Sequence, residues 1–428
     1  MEIDVWLADH PFPNFLDPVR KCAEEFGRRH PEYRVVIQGY DYWTQRQKFF
    51  DAVEQGRAPA IVDFFYTATQ IARDLTAKDG GPLFTSIEKA IGGRTEILGE
   101  PVIVDDLVVA ARDYYSYGGE LVSLPNSTST SLLYANTTLL EAAGVFEVPR
   151  TWAEVEAACE AVAKLDGGPS HGITWPNHGW FFQQALAEQG TPLTDHDNGR
   201  SGRARRVNLT SEALLSWVRW WQRLSRDGHY LYTGEPNDWA GTLDAFVNQR
   251  VAFTLNSSVI AEQIVRAGDE GGFRVTAARM PYNETVAYGG DVIGGDSLWL
   301  ADGLDPVKRD GALAFLQFLL NPRNAAAWHR SSGFIPVTRS AFELLESEGW
   351  FADRPHHRLA NEQLDAGDRS PAAQGALLGD FTAIEETMTR AMADVLVDGA
   401  EPEARFAEAE KEAQLLLDAY NAKAQQRG

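Results

Sequence analysis

The sequence predicts an α/β protein that opens on a doubly wound parallel sheet. Two observations carry this expectation. Over the first hundred residues, apolar runs of five or six residues alternate with amphipathic helical stretches, the signature of strand-helix-strand units. From Arg274 to Ala278, and again from Val292 through the helical Pro306 to Leu320, the same alternation returns after a long middle region. At roughly 150 residues per domain, a chain of 428 residues corresponds to two or three domains, or two large lobes. An apolar fraction of 44% is ample for their cores and excludes disorder.

In order, the chain reads as a strand over Ile3 to Ala8, a helix over Phe15 to Arg29, and a strand over Arg34 to Gly39. A helix through Arg46 to Gln55 and a strand over Ala60 to Phe65 follow. Ligands of such sheets gather outside the carboxyl ends of the strands. Those ends are Asp9-His10, Tyr40 to Trp43 and Tyr66-Thr67, the first candidates for a binding surface. Thr151-Trp-Ala-Glu154 is a capping box that starts a helix to about Lys164. A short strand over His171 to Thr174, a helix after Gly179 and a long helix from Ser211 to Arg226, stopped by Gly228, come next. In the last of these, Leu214, Trp217, Trp221 and Leu224 share one face and belong to the core. Arg200, Arg203, Arg205 and Arg206 fall in a polar insertion and read as a solvated loop. The chain ends in a helix, Glu403 to Tyr420, with apolar residues Phe406, Ala409, Ala413, Leu416 and Leu417.

Composition narrows the partners. With 61 acidic against 39 basic residues the formal charge is −22, which argues against nucleic acid and against an anionic membrane face. A small solute or a neutral polymer remains. Cys22 and Cys159 lie far apart in helical patterns, so no disulfide framework or CxxC metal site is expected. No apolar stretch approaches the roughly 20 residues that span a bilayer. Met1-Glu2 leads straight into a strand with no secretory leader, so the chain is expected to be cytosolic or to have lost a leader.

Motifs for chemistry are sparse. Gly289 and Gly294 have phosphate-loop spacing, but Gly295-Asp296 stands where that loop needs Lys and Ser or Thr. The glycines of Tyr288-Gly-Gly-Asp-Val-Ile-Gly-Gly-Asp296 instead suit a close approach of backbone to a ligand, or a hinge. His171 and His178 are separated by helix breakers, and His356-His357 has neither a nearby Cys nor an HExxH pattern, so no metal and no cofactor is expected. No GxSxG elbow occurs and no carboxylate pair singles itself out for glycoside hydrolysis. The abundant aromatics are the positive signal: 12 Trp, 13 Tyr and 21 Phe, with Tyr42, Trp43, Tyr66, Trp175, Trp180 and Trp239 outside periodic positions. Flat rings suit the C–H faces of sugars and equally suit packing.

At these residues the chain resembles the extracellular solute-binding proteins of carbohydrate-type ABC importers. The resemblance rests on Gly56-Arg-Ala-Pro-Ala-Ile-Val-Asp63, Leu132-Leu-Tyr-Ala-Asn136, Ala143-Gly144, Pro149-Arg-Thr-Trp152 and Val251-Ala-Phe-Thr-Leu-Asn256, in order and at family spacing. The branch that binds glycerol 3-phosphate and glycerophosphodiesters is the most similar, through Ile293-Gly-Gly-Asp-Ser-Leu-Trp-Leu300, Phe315 to Leu319, Ala325-Ala-Ala-Trp-His329 and Gly333-Phe-Ile-Pro-Val-Thr338. The resemblance implies a two-lobed periplasmic-binding-protein fold, each lobe a central sheet flanked by helices, joined by a hinge. The implied lobes are residues 1–128 with 294–333, and 129–293 with 334–428.

It also implies departures from that branch. In Gly375-Ala-Leu-Leu-Gly-Asp-Phe381 an arginine is expected at Leu377, and without it a phosphate loses its bidentate partner. Phe334 stands for a tyrosine, Tyr66 for a glutamate, and Asp296 adds a carboxylate. Tyr42, the hydroxyl loop Ser127 to Ser131, Trp180, Ser257 and the Gly294-Gly295 backbone still match. The expected function is therefore a non-enzymatic binding subunit that captures a neutral sugar, oligosaccharide or polyol in an interlobe cleft by hinge closure. Its expected contacts are Asp9, His10, Tyr42, Trp43, Tyr66, Ser129, Trp180, Trp239, Ser257, Gly294, Gly295, Asp296, Phe334 and Leu377. The alternatives are a glycerophosphodiester or glycerol 3-phosphate ligand, with Tyr42, Tyr66 and Trp180 caging a quaternary ammonium, and, from another class, a glycoside-cleaving enzyme. The implied partners are the transmembrane subunits of the importer, the protein itself being a monomer. The implied location is periplasmic or extracellular, including a lipid-anchored cell-surface form.

Overall fold

The computed structural model describes residues 1–11, 13–42 and 44–426. The chain divides into two compact units: Met1–Thr128 with Gly294–Asp353 and a short segment from Lys423, and Ser129–Ile293 with Arg354–Ala422.

The first unit is built on a six-stranded sheet ordered Arg34–Asp41, Glu2–Asp9, Ile61–Phe65, Gly294–Ala301, Phe84–Thr85, with Leu124–Ser129 also paired to Gly294–Ala301. The first three strands are parallel, Glu2 opposite Arg34 through Asp9 opposite Asp41, and Val5 opposite Ile61. Gly294–Ala301 runs antiparallel to Ile61–Phe65, so the sheet is mixed and not purely parallel as the alternation suggests. Helical crossovers oblige only strands consecutive in the chain to be parallel, and Gly294–Ala301 arrives from a distant segment free of that constraint. The strand is buried at every position, as one covered on both faces must be.

Helix Asp17–Arg29 starts two residues later than its pattern suggests, with Asp17 and a proline in its first turn and Arg28 and Arg29 in its last, in the sense the helix dipole favours. It buries Val19, Ala23 and Phe26. Helix Pro306–Leu319 is capped by Asp305, whose carboxylate accepts from the amides of Val307 and Lys308. The expected boundary after residue 333 is corrected to follow Asp353. Ala325 and Ala326 of helix Pro322–Ser332 share one apolar cluster with Ala341, Leu345 and Phe351, and cutting between them would expose it.

The second unit carries a four-stranded sheet ordered Ile173–Thr174, Phe253–Ser257, Ser131–Asn136, Val275–Arg279. Helix Trp152–Val162 has both bonds of the predicted capping box. Helix Glu212–Arg226 buries Leu214, Trp217, Trp221 and Leu224 as its periodicity requires. Trp175 stacks on Trp220 at 5.7 Å, and Trp220 on Trp152 at 5.0 Å. The C-terminal helix Pro402–Gln425 buries Phe406, Ala409, Ala413 and Leu417. Among the described residues no helix is long and apolar enough to cross a membrane. Cys22 and Cys159 are both free thiols, and burial pushes the pKa of Cys22 up to about 11.

Candidate functional site

In the first unit, the parallel register ends three strands together and brings the residues that follow them into contact. The His10 ring lies 4.5 Å from Tyr42, 4.7 Å from Phe15 and 5.8 Å from Phe334. Tyr42 meets Phe65 edge-on at 6.0 Å, and Phe334 stacks parallel to Trp328 at 6.4 Å. His10 Nε2 is 2.9 Å from Asp296 Oδ2, and since a carboxylate only accepts, Nε2 carries the proton. Asp296 is 2% exposed, so this bond orients a buried acceptor beneath a partly exposed aromatic surface.

Behind it sits Asp63, whose two carboxyl oxygens accept from the Ala8 amide at 3.1 and 2.9 Å and one also from Gln45 Nε2 at 3.0 Å. Burial, then the negative charge of Asp296, push the Asp63 carboxyl well above its ordinary range, against the pull of the Ala8 amide. Gly295 has φ +113°, and a Cβ there would lie 1.7 Å from the carbonyl oxygen of Ser127. Its own carbonyl accepts from the Tyr115 hydroxyl at 3.3 Å. The adjoining Gly294 opens the same buried strand. Asp9 ends its strand exposed, opposite Asp41. Tyr66, 1% exposed, begins a 3-10 turn whose carbonyl accepts from the Tyr114 hydroxyl, so its ring is packing and not surface. Trp43 lies outside the described residues.

In the second unit, His178 caps helix Gly179–Glu188 by accepting from the Trp180 amide, which fixes Nδ1 as the unprotonated nitrogen. Burial pushes the pKa of His178 down to about 4, so the imidazole is neutral. Trp180 donates its indole N–H to the Ile293 carbonyl at 3.2 Å. Half-buried Trp239 lies 5.4 Å from His178, 5.8 Å from Phe181 and 6.3 Å from Trp180, which together make an aromatic face. The Ser257 hydroxyl accepts from the Val259 amide, and its carbonyl accepts from Tyr134. Leu377 is 2% exposed, its amide bonded to the Asn198 carbonyl.

Several expectations are corrected. Ser127 to Ser131 is no loop: Leu124–Ser129 and Ser131–Asn136 are strands, Ser129 is buried, and the hydroxyls of Thr130 and Ser131 bond to the Val292 carbonyl and to the Met280 sulfur. Gly289 and Gly290 let backbone approach backbone, since Cβ atoms there would meet the Ala187 carbonyl at 2.5 Å and Gly367 at 2.8 Å. Trp175 is fully buried in the core. Arg200 is not simply solvated, because its guanidinium donates to the Gln374 and Gly375 carbonyls at 2.8 and 3.0 Å.

Sequence reasoning missed Asp63, Phe15, Trp328 and His178. Only Asp63 left a local signal, as the one charge in the apolar run Ile61 to Phe65.

Comparison with known proteins shows what this architecture belongs to. Residues 21–358 match the family described as bacterial extracellular solute-binding protein. The sn-glycerol-3-phosphate-binding periplasmic protein UgpB of Yersinia pseudotuberculosis serotype I (strain IP32953) is 25% identical over 407 residues, 93% of this chain and 89% of that one. The sugar-binding protein MalE from Xanthomonas citri is similar in structure at a TM-score of 0.80 and 18% identity, covering 100% of both chains. UgpB from Mycobacterium tuberculosis in complex with glycerophosphocholine matches at 0.72 and 21% identity, covering 98% of this chain and 99% of that one. The chain belongs to the bacterial extracellular solute-binding protein family, as a ligand-capturing subunit of an ABC importer and not an enzyme.

Proposed function

We propose that the solute is a neutral carbohydrate, a sugar, oligosaccharide or polyol, captured by the hinge closure that the family resemblance implies. One observation carries this reading: the candidate contacts offer aromatic rings and the carboxylates of Asp9 and Asp296, with no fixed positive charge among them. His10 is already engaged by Asp296, and position 377 is a buried leucine. A phosphate dianion brought to such residues would meet the Asp296 carboxylate without a guanidinium to offset it. In the first unit sugar hydroxyls would find in Asp296 an acceptor and in Tyr42 a ring to lie against, and the second unit offers the half-buried ring of Trp239.

A second reading has support of its own. Arg200 holds the main-chain carbonyls of Gln374 and Gly375, next to the position where the phosphate-binding branch has its arginine, and could supply the missing cation from a different segment. Relatives named for glycerol 3-phosphate add weight to it.

A thermal-shift panel of monosaccharides, disaccharides, polyols, glycerol 3-phosphate and glycerophosphocholine separates the two, because a ligand bound only by the folded state raises the melting temperature. Stabilisation by neutral sugars, lost in Asp296→Asn, supports the carbohydrate reading. Stabilisation confined to phosphate esters, lost in Arg200→Gln, refutes it in favour of the second.

A further inference from the structure

The second unit carries a side-chain cluster that the carbohydrate chemistry does not use. His356 and His357 close the short 3-10 turn Pro355–His357, and Glu262 lies in the first turn of helix Ala261–Gly271. The two imidazole Nε2 atoms approach the same carboxylate oxygen of Glu262, at 3.0 and 3.3 Å. All three donor atoms lie within 4.8 Å of one another. No sequence spacing announces the cluster, since 94 residues separate Glu262 from His356.

We propose that Glu262, His356 and His357 form a binding site for a divalent transition-metal ion of the zinc class. Three arguments support it. Two imidazoles and one carboxylate are a donor set suited to zinc, whereas magnesium and calcium call for oxygen ligands. A tetrahedral ion with bonds of about 2.0–2.1 Å draws its ligand atoms to roughly 3.4 Å apart. The separations already present require the rings to move by no more than about 1.5 Å. Lastly, the imidazole side chains are 11% and 4% exposed and held by packing, with rings 4.6 Å apart, while Glu262 is 51% exposed. The fourth position therefore opens to water and gives the ion a way in. Each ring binds through Nε2 with its proton on Nδ1, in place of the Nε2–H bond to Glu262.

Arg354 opposes the ion. Its Nε is 3.6 Å from the same oxygen of Glu262, so a metal must share that carboxylate with a guanidinium. The site is thus tuned weaker than its ligands alone would make it.

The full-length chain, stripped with chelator, is titrated with Zn²⁺ by calorimetry and with Co²⁺ by visible absorption. The expected result is one saturable site in the micromolar range with tetrahedral cobalt bands, and no comparable response to Mg²⁺ or Ca²⁺. Losing an outer-shell partner costs a metal site ~10–100-fold in affinity, so losing a ligand in Glu262→Gln or His356→Ala is expected to cost at least tenfold. Arg354→Gln is expected to tighten binding severalfold. Glu262 is half exposed, so its variant keeps the fold even if replacement of the histidines does not. Absence of a saturable site, or wild-type affinity in Glu262→Gln, overturns the proposal.

Discussion

Glu188 and Asp291 form a buried acidic pair in the second unit, 0% and 3% exposed, whose removal has a calculable consequence. Tyr288 donates to one oxygen of Asp291, while its other oxygen and both of Glu188 are buried without a hydrogen-bond partner. Burial drives the Asp291 carboxyl up to about 7 from its ordinary 3.8, against the pull of the Tyr288 hydroxyl and of the Arg279 charge. Burial, then the charge of Asp291, also pushes Glu188 well above its ordinary range. A carboxyl with a raised pKa in the folded state binds its proton more tightly there than in the unfolded chain. Its contribution to stability is therefore complete below pH 4 and is lost as the pH rises toward and through 7.

The gap of about three pKa units, at about 1.4 kcal/mol each, amounts to roughly 4 kcal/mol. About 3 kcal/mol of it falls between pH 5 and pH 8. Asp291→Asn keeps a hydrogen-bonding side chain of the same shape and removes the titration. In urea unfolding followed by tryptophan fluorescence, the variant's stability relative to wild type should rise by about 3 kcal/mol from pH 5 to pH 8. Glu188→Gln should act in the same direction. The double variant should gain less than the two separate effects together, because each carboxyl raises the other. Parallel pH profiles for wild type and Asp291→Asn would refute the reasoning.

Three further outcomes are expected. Gly295→Ala must place a Cβ against the Ser127 carbonyl at a φ of +113°, and should lose at least ~3 kcal/mol in thermal melting. Thr151→Ala removes the capping-box oxygen that accepts from the Glu154 amide at 3.2 Å, and should cost about 1 kcal/mol by urea titration. Trp175→Ala should cost ~3–5 kcal/mol as a core cavity, whereas Trp239→Ala should leave stability within about 1 kcal/mol and instead weaken ligand binding measured by calorimetry.

Local elements were legible because they are written in local periods. Glu2–Asp9, Asp17–Arg29 and Glu212–Arg226 lie within two residues of where apolar spacing and caps put them. What depends on distant pairing was not. The antiparallel insertion of Gly294–Ala301 leaves no trace in its own sequence, since neither the residue types of a strand nor its burial on both faces records the direction of its neighbours. Trp175 sits beside Pro176, which breaks periodicity and imitates a loop, yet the indole is enclosed by Trp217, Trp220, Trp221 and Tyr230. The hydroxyl-rich run from Ser127 to Ser131 looks like a loop because its side chains are polar, yet all five residues are buried, and the hydroxyls of Thr130 and Ser131 are taken up by bonds to Val292 and Met280 that only the tertiary fold creates.

The pairing that escaped the sequence is also what assembles the candidate site in the first unit. Parallel strands ending in register gather His10, Tyr42 and Tyr66 at one edge, with Asp9 and Asp41 exposed at the same strand ends, but none of them supplies the buried carboxylate that His10 bonds to. The acceptor comes from Asp296, 286 residues from His10. It reaches that edge because antiparallel pairing sets Asp296, near the start of its strand, opposite Phe65 at the end of another. A purely parallel sheet would carry the same residue to the opposite end. The site is therefore a product of strand direction and register. One residue inserted between Asp296 and Leu298 would turn Asp296 to the other face if the rest of the strand kept its pairing. The His10 bond would be lost, with the aromatic surface around it intact.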